Sequence, residues 1–211
     1  ADEIVRFITR KEFYERLMTE KRVRAREKQK KAVREVMKEL FGITPANDDD
    51  DSVMSSFISY ANKLKNDLEK LKSIVDTQVK EMNGRVLIPS FAQSRCQQLA
   101  LMLYELYKDE QWQPKVYIDS PLAISIFKEY GQVLEGEEKD LFDEMLKWDK
   151  LIFVYESEES KTLVAGKEPC CIISTSGMCQ VGRVRHHIKS MVSNPNATIL
   201  FVGFSTEGSL A

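Results

Sequence analysis

The pattern of apolar and polar residues changes character near residue 84. Before that point, apolar side chains recur at intervals of three and four residues, as they do along an amphipathic helix. The first such pattern begins at Ile4 and ends at Gly42, and the second runs from about Val53 to Met82. The acidic segment ITPANDDDDS separates them. Residues 1–83 are therefore predicted to form a long helical hairpin.

From residue 84 onward, short β-rich runs alternate with helical patterns. The runs are almost continuously apolar, which is typical of strands buried on both faces of a parallel sheet. The predicted strands are Arg85–Ser90, Lys115–Asp119, Leu151–Tyr155, Cys170–Thr175 and Thr198–Phe204, and the predicted helices are Gln93–Lys108, Leu122–Gln132, Glu137–Trp148 and Arg183–Met191. The segment after Tyr155 is interpreted as a loop. Residues 84–211 are thus predicted to form an α/β domain with a doubly wound, mainly parallel sheet.

Composition narrows the class of protein. Hydrophobic residues make up 43% of the chain, charged residues 30%, and the formal net charge is -2, which argues against a uniformly basic surface. The chain contains no run of about 20 apolar residues, so no membrane span is predicted. Its start lacks the apolar region of a secretory signal. The four cysteines form no CxxC pair. A cytoplasmic protein with reduced thiols and no membrane partner is expected.

The polar loops that follow the predicted strands are the candidate functional surface. Ligands of doubly wound sheets bind beyond the carboxyl ends of the strands. STSGMCQVGR leads from a strand into a helix, where backbone N–H groups can bind an anion, and Arg183 is unfavourable in a first helical turn unless it faces one. Neither a Walker loop nor a GxGxxG motif is present. The residues expected to cluster at this edge are Ser90, Arg95, Ser120, Ser176, Arg183 and Glu207.

A second basic feature lies in the first helical pattern. KRVRAREKQKK carries seven basic residues and one acidic residue. These residues either form a solvated helix surface or contact a phosphate backbone, and the sequence leaves both interpretations open. The seven basic residues are Lys21, Arg22, Arg24, Arg26, Lys28, Lys30 and Lys31.

The two histidines of the chain are adjacent, at positions 186 and 187. On a helix their side chains diverge by about 100°, so one is expected to face the sheet and the other the solvent. His187 lies three residues after Val184 and four before Met191, which places it on the core side and leaves His186 exposed. A structural zinc site needs about four convergent ligands. Neither the histidine pair nor the adjacent Cys170 and Cys171 provides them, so no metal is expected.

Several ordered blocks resemble the β-CASP domain of the RNA-processing branch of the metallo-β-lactamase superfamily, to which RNase J belongs. The blocks are GRVLIPSFAQSRCQQL, VYIDSPLA, EESKTL, CCIISTSGMCQVGRVRHHI and ILFVGFSTEGSLA. The resemblance implies a Rossmann-like domain that grips RNA beside a metallo-β-lactamase domain, where an HxHxDH motif and further ligands hold two zinc ions. No HxH motif occurs in this chain. The expectation is a fragment without cofactor that is inert alone, with RNA and the lactamase domain of the parent chain as partners.

The RNA-gripping role that the resemblance implies can be combined with the predicted carboxyl edge. RNA or phosphate contacts are then expected for the edge residues Ser90, Arg95, Ser120, Ser176, Gly177, Met178, Arg183 and His186, with Glu207 orienting a neighbouring group. Two departures from the family pattern are Ser94, where a glycine is common, and Val181 in a Val181-Gly182-Arg183 segment that is usually GGR. The alternative function is a freestanding nucleotide-binding or protein-interaction module.

Overall fold

The apolar runs fold as parallel strands because each one is covered on both faces. The computed structural model describes residues 66–202, in which five strands and six helices alternate. The strands are β1 (Arg85–Pro89), β2 (Val116–Asp119), β3 (Leu151–Phe153), β4 (Cys170–Ser174) and β5 (Ala197–Ile199). The helices are α1 (66–75, continued by the π-helical turn Asp76–Glu81), α2 (Arg95–Tyr107), α3 (Pro121–Gln132), α4 (Gly136–Leu146), α5 (Ser157–Ala165) and α6 (Val184–Met191).

The sheet has the strand order β3-β2-β4-β1-β5, and all its pairings are parallel. The chain moves outward from β1 through β2 to β3 and then returns to β4 and β5. Because parallel crossovers are right-handed, this reversal places α2, α3 and α4 on one face and α5 and α6 on the other. The contacts agree, since α2, α3 and α4 touch one another and α5 touches α6. The predicted doubly wound α/β fold is confirmed.

The two faces of the sheet have separate cores. On the α5/α6 face, Leu87 and Ile172 pack with Val184 and Met191 of α6. The residues that alternate with these along the strands, such as Ile88, point to the opposite face of the sheet and are also fully buried. Period-two alternation therefore assigns Arg85, Tyr117 and Asp119 to the α5/α6 face, together with Leu87.

Two sequence predictions about secondary structure were wrong. The segment after Tyr155 is not a loop, because Ser157–Ala165 forms α5. SEESKTLVA has too few apolar residues to show a helical period, and the helix is instead specified by a capping box between Glu156 and Glu159. The predicted last strand, Thr198–Phe204, is shorter within the described residues, since β5 ends at Ile199 and the exposed Phe201 is not in a strand.

The described part of the helical region ends inside the α/β unit. Leu71, Val75 and Val79 of α1 and its π-helical turn are buried, and the Tyr107 hydroxyl of α2 donates to Asp76 at 2.8 Å. The boundary between residues 83 and 84 stays a prediction, and the rest of the predicted hairpin lies outside the described residues. Within residues 66–202 no helix combines the length and the apolar character that a bilayer crossing requires.

Buried Arg85 is the polar group that joins α5 to the sheet. Its guanidinium donates to the carbonyl oxygens of Leu163 at 2.7 Å and Gly166 at 2.8 Å, which end α5. Its Nε also donates to Cys170 Sγ at 3.5 Å. The last carbonyls of a helix lack the regular helical donors, and Arg85 provides charged donors to two carbonyls at the end of α5.

Replacing Arg85 with alanine should lower the free energy of unfolding by about 2–3 kcal/mol, because the hydrogen bonds from a buried charged group to the end of α5 are lost. Urea denaturation measures this change. The matched control is Lys139→Ala, which removes an exposed ion pair with Asp143 in α4 and should cost roughly 0.5 kcal/mol. Equal effects of the two substitutions would contradict the role given to Arg85.

Candidate functional site

The carboxyl ends of β1, β2 and β4 meet at one edge of the sheet. The amide of Ser90 donates to Ser174 O at 2.9 Å, and the hydroxyls of Ser120 and Thr175 are 2.7 Å apart. Ser176 follows directly, with its amide donating to Val181 O at 3.1 Å. The structure brings Ser90, Ser120 and Ser176 to one edge of the sheet, while their contacts with RNA stay predictions.

Asp119, the last residue of β2, is the centre of this edge. Its side chain is fully buried. Oδ1 accepts from Arg183 Nη1 at 2.9 Å, while Oδ2 accepts from Ser160 Oγ at 2.7 Å and lies 2.6 Å from His187 Nε2. Its backbone carbonyl accepts from Ser174 Oγ at 2.9 Å. The carboxylate thus joins β2 to α5 and α6, and the backbone carbonyl of the same residue adds a contact with β4.

The protonation state of Asp119 follows from these contacts. Burial alone raises the pKa of a carboxyl, because it disfavours the charged form. Hydrogen bonds from His187, Ser160 and Arg183 act in the opposite direction and hold the pKa of Asp119 below its ordinary value. Asp119 is therefore a carboxylate at neutral pH, in the form that accepts all three bonds.

The His187 side chain is fully buried, and its Nε2 contacts Asp119 rather than solvent. Since Asp119 is ionised, Nε2 carries the proton that it donates to Oδ2. Nδ1 is buried and has no hydrogen-bond partner among the described residues. His186 is exposed. The predicted divergence of the two histidines, with His187 on the core side, is confirmed.

Arg183 extends the network to a further strand. Besides Asp119, its guanidinium donates to the carbonyl oxygens of Val154 and Tyr155, each at 3.0 Å, directly after β3. Its side chain is only 20% exposed. The anion that makes an arginine favourable at the start of α6 is therefore Asp119, and three donor contacts of the guanidinium are made within the protein. A contact of Arg183 with RNA stays a prediction.

The turn before α6 explains one departure from the family pattern. Gly182 has φ +86°, and a Cβ there would lie 2.3 Å from Thr175 O, so only glycine fits. The side chain of Val181 is exposed, so this position accommodates a residue larger than glycine. Ser94 also has a positive φ, of +67°, which fits the glycine that the resemblance places at this position.

Comparison with known proteins agrees with this geometry. The family described as Beta-Casp domain matches residues 96–211, which is more than half of the chain. The chain belongs to the β-CASP family. A second family, described as BREX ATP-binding protein BrxC alpha helical domain, matches residues 29–85, most of which lie outside the described part of the chain.

Curated relatives support the same assignment. The chain is 32% identical over 135 residues to a protein named Ribonuclease TTHA0252 from Thermus thermophilus, covering 60% of this chain and 31% of the relative. It is 30% identical over 142 residues to Transcription termination factor FttA of Methanocaldococcus jannaschii, covering 64% and 22%. An RNase J-like protein of that organism is 29% identical over 133 residues, covering 62% and 30%. The chain spans less than a third of the length of these relatives.

The remaining predicted site residues differ in exposure. Arg95, Gly177 and Met178 are partly buried at the carboxyl edge of the sheet, and His186 is exposed. The hydroxyls of Ser90 and Ser120 are buried and bonded within the protein. Glu207 and the seven basic residues Lys21, Arg22, Arg24, Arg26, Lys28, Lys30 and Lys31 lie outside the described residues.

Sequence reasoning missed Asp119 and Ser160. Asp119 is the last residue of the predicted strand Lys115–Asp119, directly before a proline-containing helix start, and the sequence gives its side chain no role. Its burial follows from a sheet that is covered on both faces, but the partners of the carboxylate do not follow from the sequence. Ser160 lies on α5, the helix that the hydrophobic pattern does not predict, and its one signal is its place in the resembling block EESKTL.

The described residues do not form a metal site. Within residues 66–202, no three side chains of His, Cys, Asp or Glu are grouped so that they could hold a metal ion. Asp119 and His187 are hydrogen-bonded to each other through the atoms that would coordinate. Burial raises the pKa of Cys96 to about 12 and raises that of Cys171 further, so neither is a thiolate at neutral pH. The zinc ions that the resemblance implies have no site among these residues.

An open cleft of about 570 Å³ lies on the α5 face of the sheet. Tyr117 and Phe153 form part of its lining, and Glu158, Glu159 and Glu168 supply carboxylates. These carboxylates repel phosphate, so the cleft does not fit an anionic ligand.

Asp119→Asn tests the network through its pH dependence. At pH 7 the substitution should lower the free energy of unfolding by about 3 kcal/mol, since Arg183 loses its counter-charge and Ser160 and His187 lose an acceptor. Because the folded-state pKa of Asp119 is lowered, its contribution is complete above the unfolded value of about 4 and is lost as pH falls below it. The difference between the wild type and the variant should therefore narrow below about pH 4.

Urea denaturation at several pH values measures this difference. Ser160→Ala is the control, since it removes one hydrogen bond to Asp119 and keeps the charge. It should cost about 1 kcal/mol. A difference for Asp119→Asn that stays constant as the pH is lowered through this range would show that the ionised carboxylate is not what stabilises the edge.

Proposed function

We propose that this chain is the RNA-binding β-CASP portion of a zinc-dependent ribonuclease of the metallo-β-lactamase superfamily. Hydrolysis and the two zinc ions then belong to a metallo-β-lactamase domain of the same parent protein. The names of two relatives, Ribonuclease TTHA0252 and RNase J-like protein, support an RNA substrate. The small share of each relative that the chain spans supports a role as one part of a larger enzyme.

The observation that carries the proposal is the charge of α6 and its flanks. No aspartate or glutamate occurs between Glu168 and Glu207, although the whole chain has a net charge of -2. On α6, Arg185, His186 and Lys189 are exposed. A basic segment of this kind, without acidic residues of its own, attracts a phosphate backbone and releases its counterions.

The position of Arg185 strengthens this assignment. It lies in the first turn of α6, where the helix dipole disfavours a cation. Lys189 is four residues later, so the two like charges are neighbours on one helix face. Neither forms an ion pair within the part of the chain that the structure describes. Both unfavourable interactions are relieved if a phosphate lies between the two side chains and the helix N-terminus.

Arg185→Ala should weaken binding of single-stranded RNA several-fold. It should also reduce the slope of log K against log salt concentration by about 0.7, the amount expected for one phosphate contact on a single strand. Fluorescence anisotropy at several salt concentrations measures both quantities. Stability should stay within about 0.5 kcal/mol of the wild type, since Arg185 is exposed and makes no internal ion pair.

The matched control is Lys161→Ala, which removes an exposed cation on α5 beside Glu158. It should leave both the affinity and the salt slope unchanged. If the two substitutions act alike, binding is not localised on α6 and the proposal fails. A mononucleotide that binds as tightly as an RNA oligomer would instead favour a freestanding nucleotide-binding module.

A further inference from the structure

Large apolar side chains are exposed at the carboxyl edge of the sheet, where four strands end. Phe91 follows β1, Leu122 follows β2, Tyr155 follows β3 and Val181 follows β4. Scattered exposed apolar residues need no explanation in a soluble protein. A row of exposed apolar side chains along the edge where ligands of this fold bind can contact the apolar part of a ligand.

Charge divides this edge into two halves. At the β3 end, the first turn of α5 exposes the carboxylates of Glu156, Glu158 and Glu159. At the β4 and β1 end, the chain enters α6 with its exposed Arg185 and Lys189 and no acidic residue. Strand order places β3 at one margin of the sheet and β1 on the other side of β4. Phe91 thus belongs to the basic half and Tyr155 to the acidic half.

The ring of Phe91 is held in place while part of it stays accessible. A Cβ on Gly177 would lie 3.1 Å from both Cδ2 and Cε2 of the ring, so the backbone of the turn after β4 packs against one side of it. Phe91 nevertheless remains 48% exposed. A ring fixed by backbone contact loses little conformational freedom when a second flat group packs on it.

We propose that Phe91 is a stacking platform for an unpaired base of single-stranded RNA. The inference rests on the proposed function, because it supposes that the backbone of that RNA is bound by the basic residues of α6. Single-stranded RNA is recognised through unstacked bases on aromatic side chains combined with a basic surface that follows the backbone. Both elements are present at this half of the edge. The acidic half offers an aromatic ring without the basic surface.

Tyr155 provides a matched control for this proposal. It is 54% exposed, close to the value for Phe91, and it also follows a strand of the same edge. The two rings differ in the charge that surrounds them. Phe91→Ala and Tyr155→Ala therefore separate base stacking on the basic half from any general effect of an exposed aromatic residue.

The experiment compares two probes of equal length, oligouridylate and an abasic oligomer with the same phosphate backbone. Phe91→Ala should weaken oligouridylate binding about tenfold, within the range expected for losing one stacked base, and leave binding of the abasic oligomer and the salt slope unchanged. Phe91→Tyr, which keeps a flat ring, should restore most of the affinity. Tyr155→Ala should change neither probe. Thermal unfolding of each variant checks that the fold is retained.

Three results would overturn the proposal. Equal weakening of both probes by Phe91→Ala means that the ring supports the backbone site and does not stack a base. Equal effects of Tyr155→Ala and Phe91→Ala on RNA affinity mean that the RNA does not bind preferentially at the basic half of the edge. Unchanged RNA binding with an altered sedimentation coefficient means that the edge is a protein interface. Each differs from failure of the proposed function, in which the wild-type protein binds neither probe in a salt-dependent way.

Discussion

Everything at the carboxyl edge depends on one buried carboxylate. Asp119 is removed from water, which by itself disfavours its charge, and it is stabilised by donors from Arg183, Ser160 and His187. These donors come from α5, from the first residues of α6 and from its buried side. Removing one partner of such a cluster costs more than the pair contributes, because the remaining charge stays buried. The edge therefore keeps one geometry as long as Asp119 is ionised.

This use of Asp119 determines which residues remain for a ligand. Arg183 and His187 lie in the segment with the strongest family resemblance, yet their polar atoms face Asp119 and the strand ends. They are positioning residues, which fix the direction in which α6 leaves the sheet. The side chains that reach solvent near the basic segment include those of Arg185, His186 and Lys189 on α6, and that of Phe91 after β1. We propose that these exposed groups recognise RNA and that the buried network holds them in place.

Much of this architecture follows from the sequence, and the parts that do not have physical reasons. Continuous apolar runs predict all five strands of the described residues, and three–four spacing predicts that His187 is buried. The apolar pattern does not predict α5, because this helix is defined by a capping box and by hydrogen bonds from buried Arg85 to its end, and both features are polar. Asp119 is missed because a buried charge is recognised only once its partners are known, and these are up to 68 residues away. Pairing over such a distance is a property of the topology.

Photo-cross-linking of single-stranded RNA, followed by mass spectrometry of the attached peptides, tests the central claim most directly. The claim is that RNA lies on the basic half of the carboxyl edge. The account predicts cross-links in residues 91–95 and 176–189, from the turns after β1 and β4 and from α6. Cross-links confined to α4, or to the acidic first turns of α5, would contradict it.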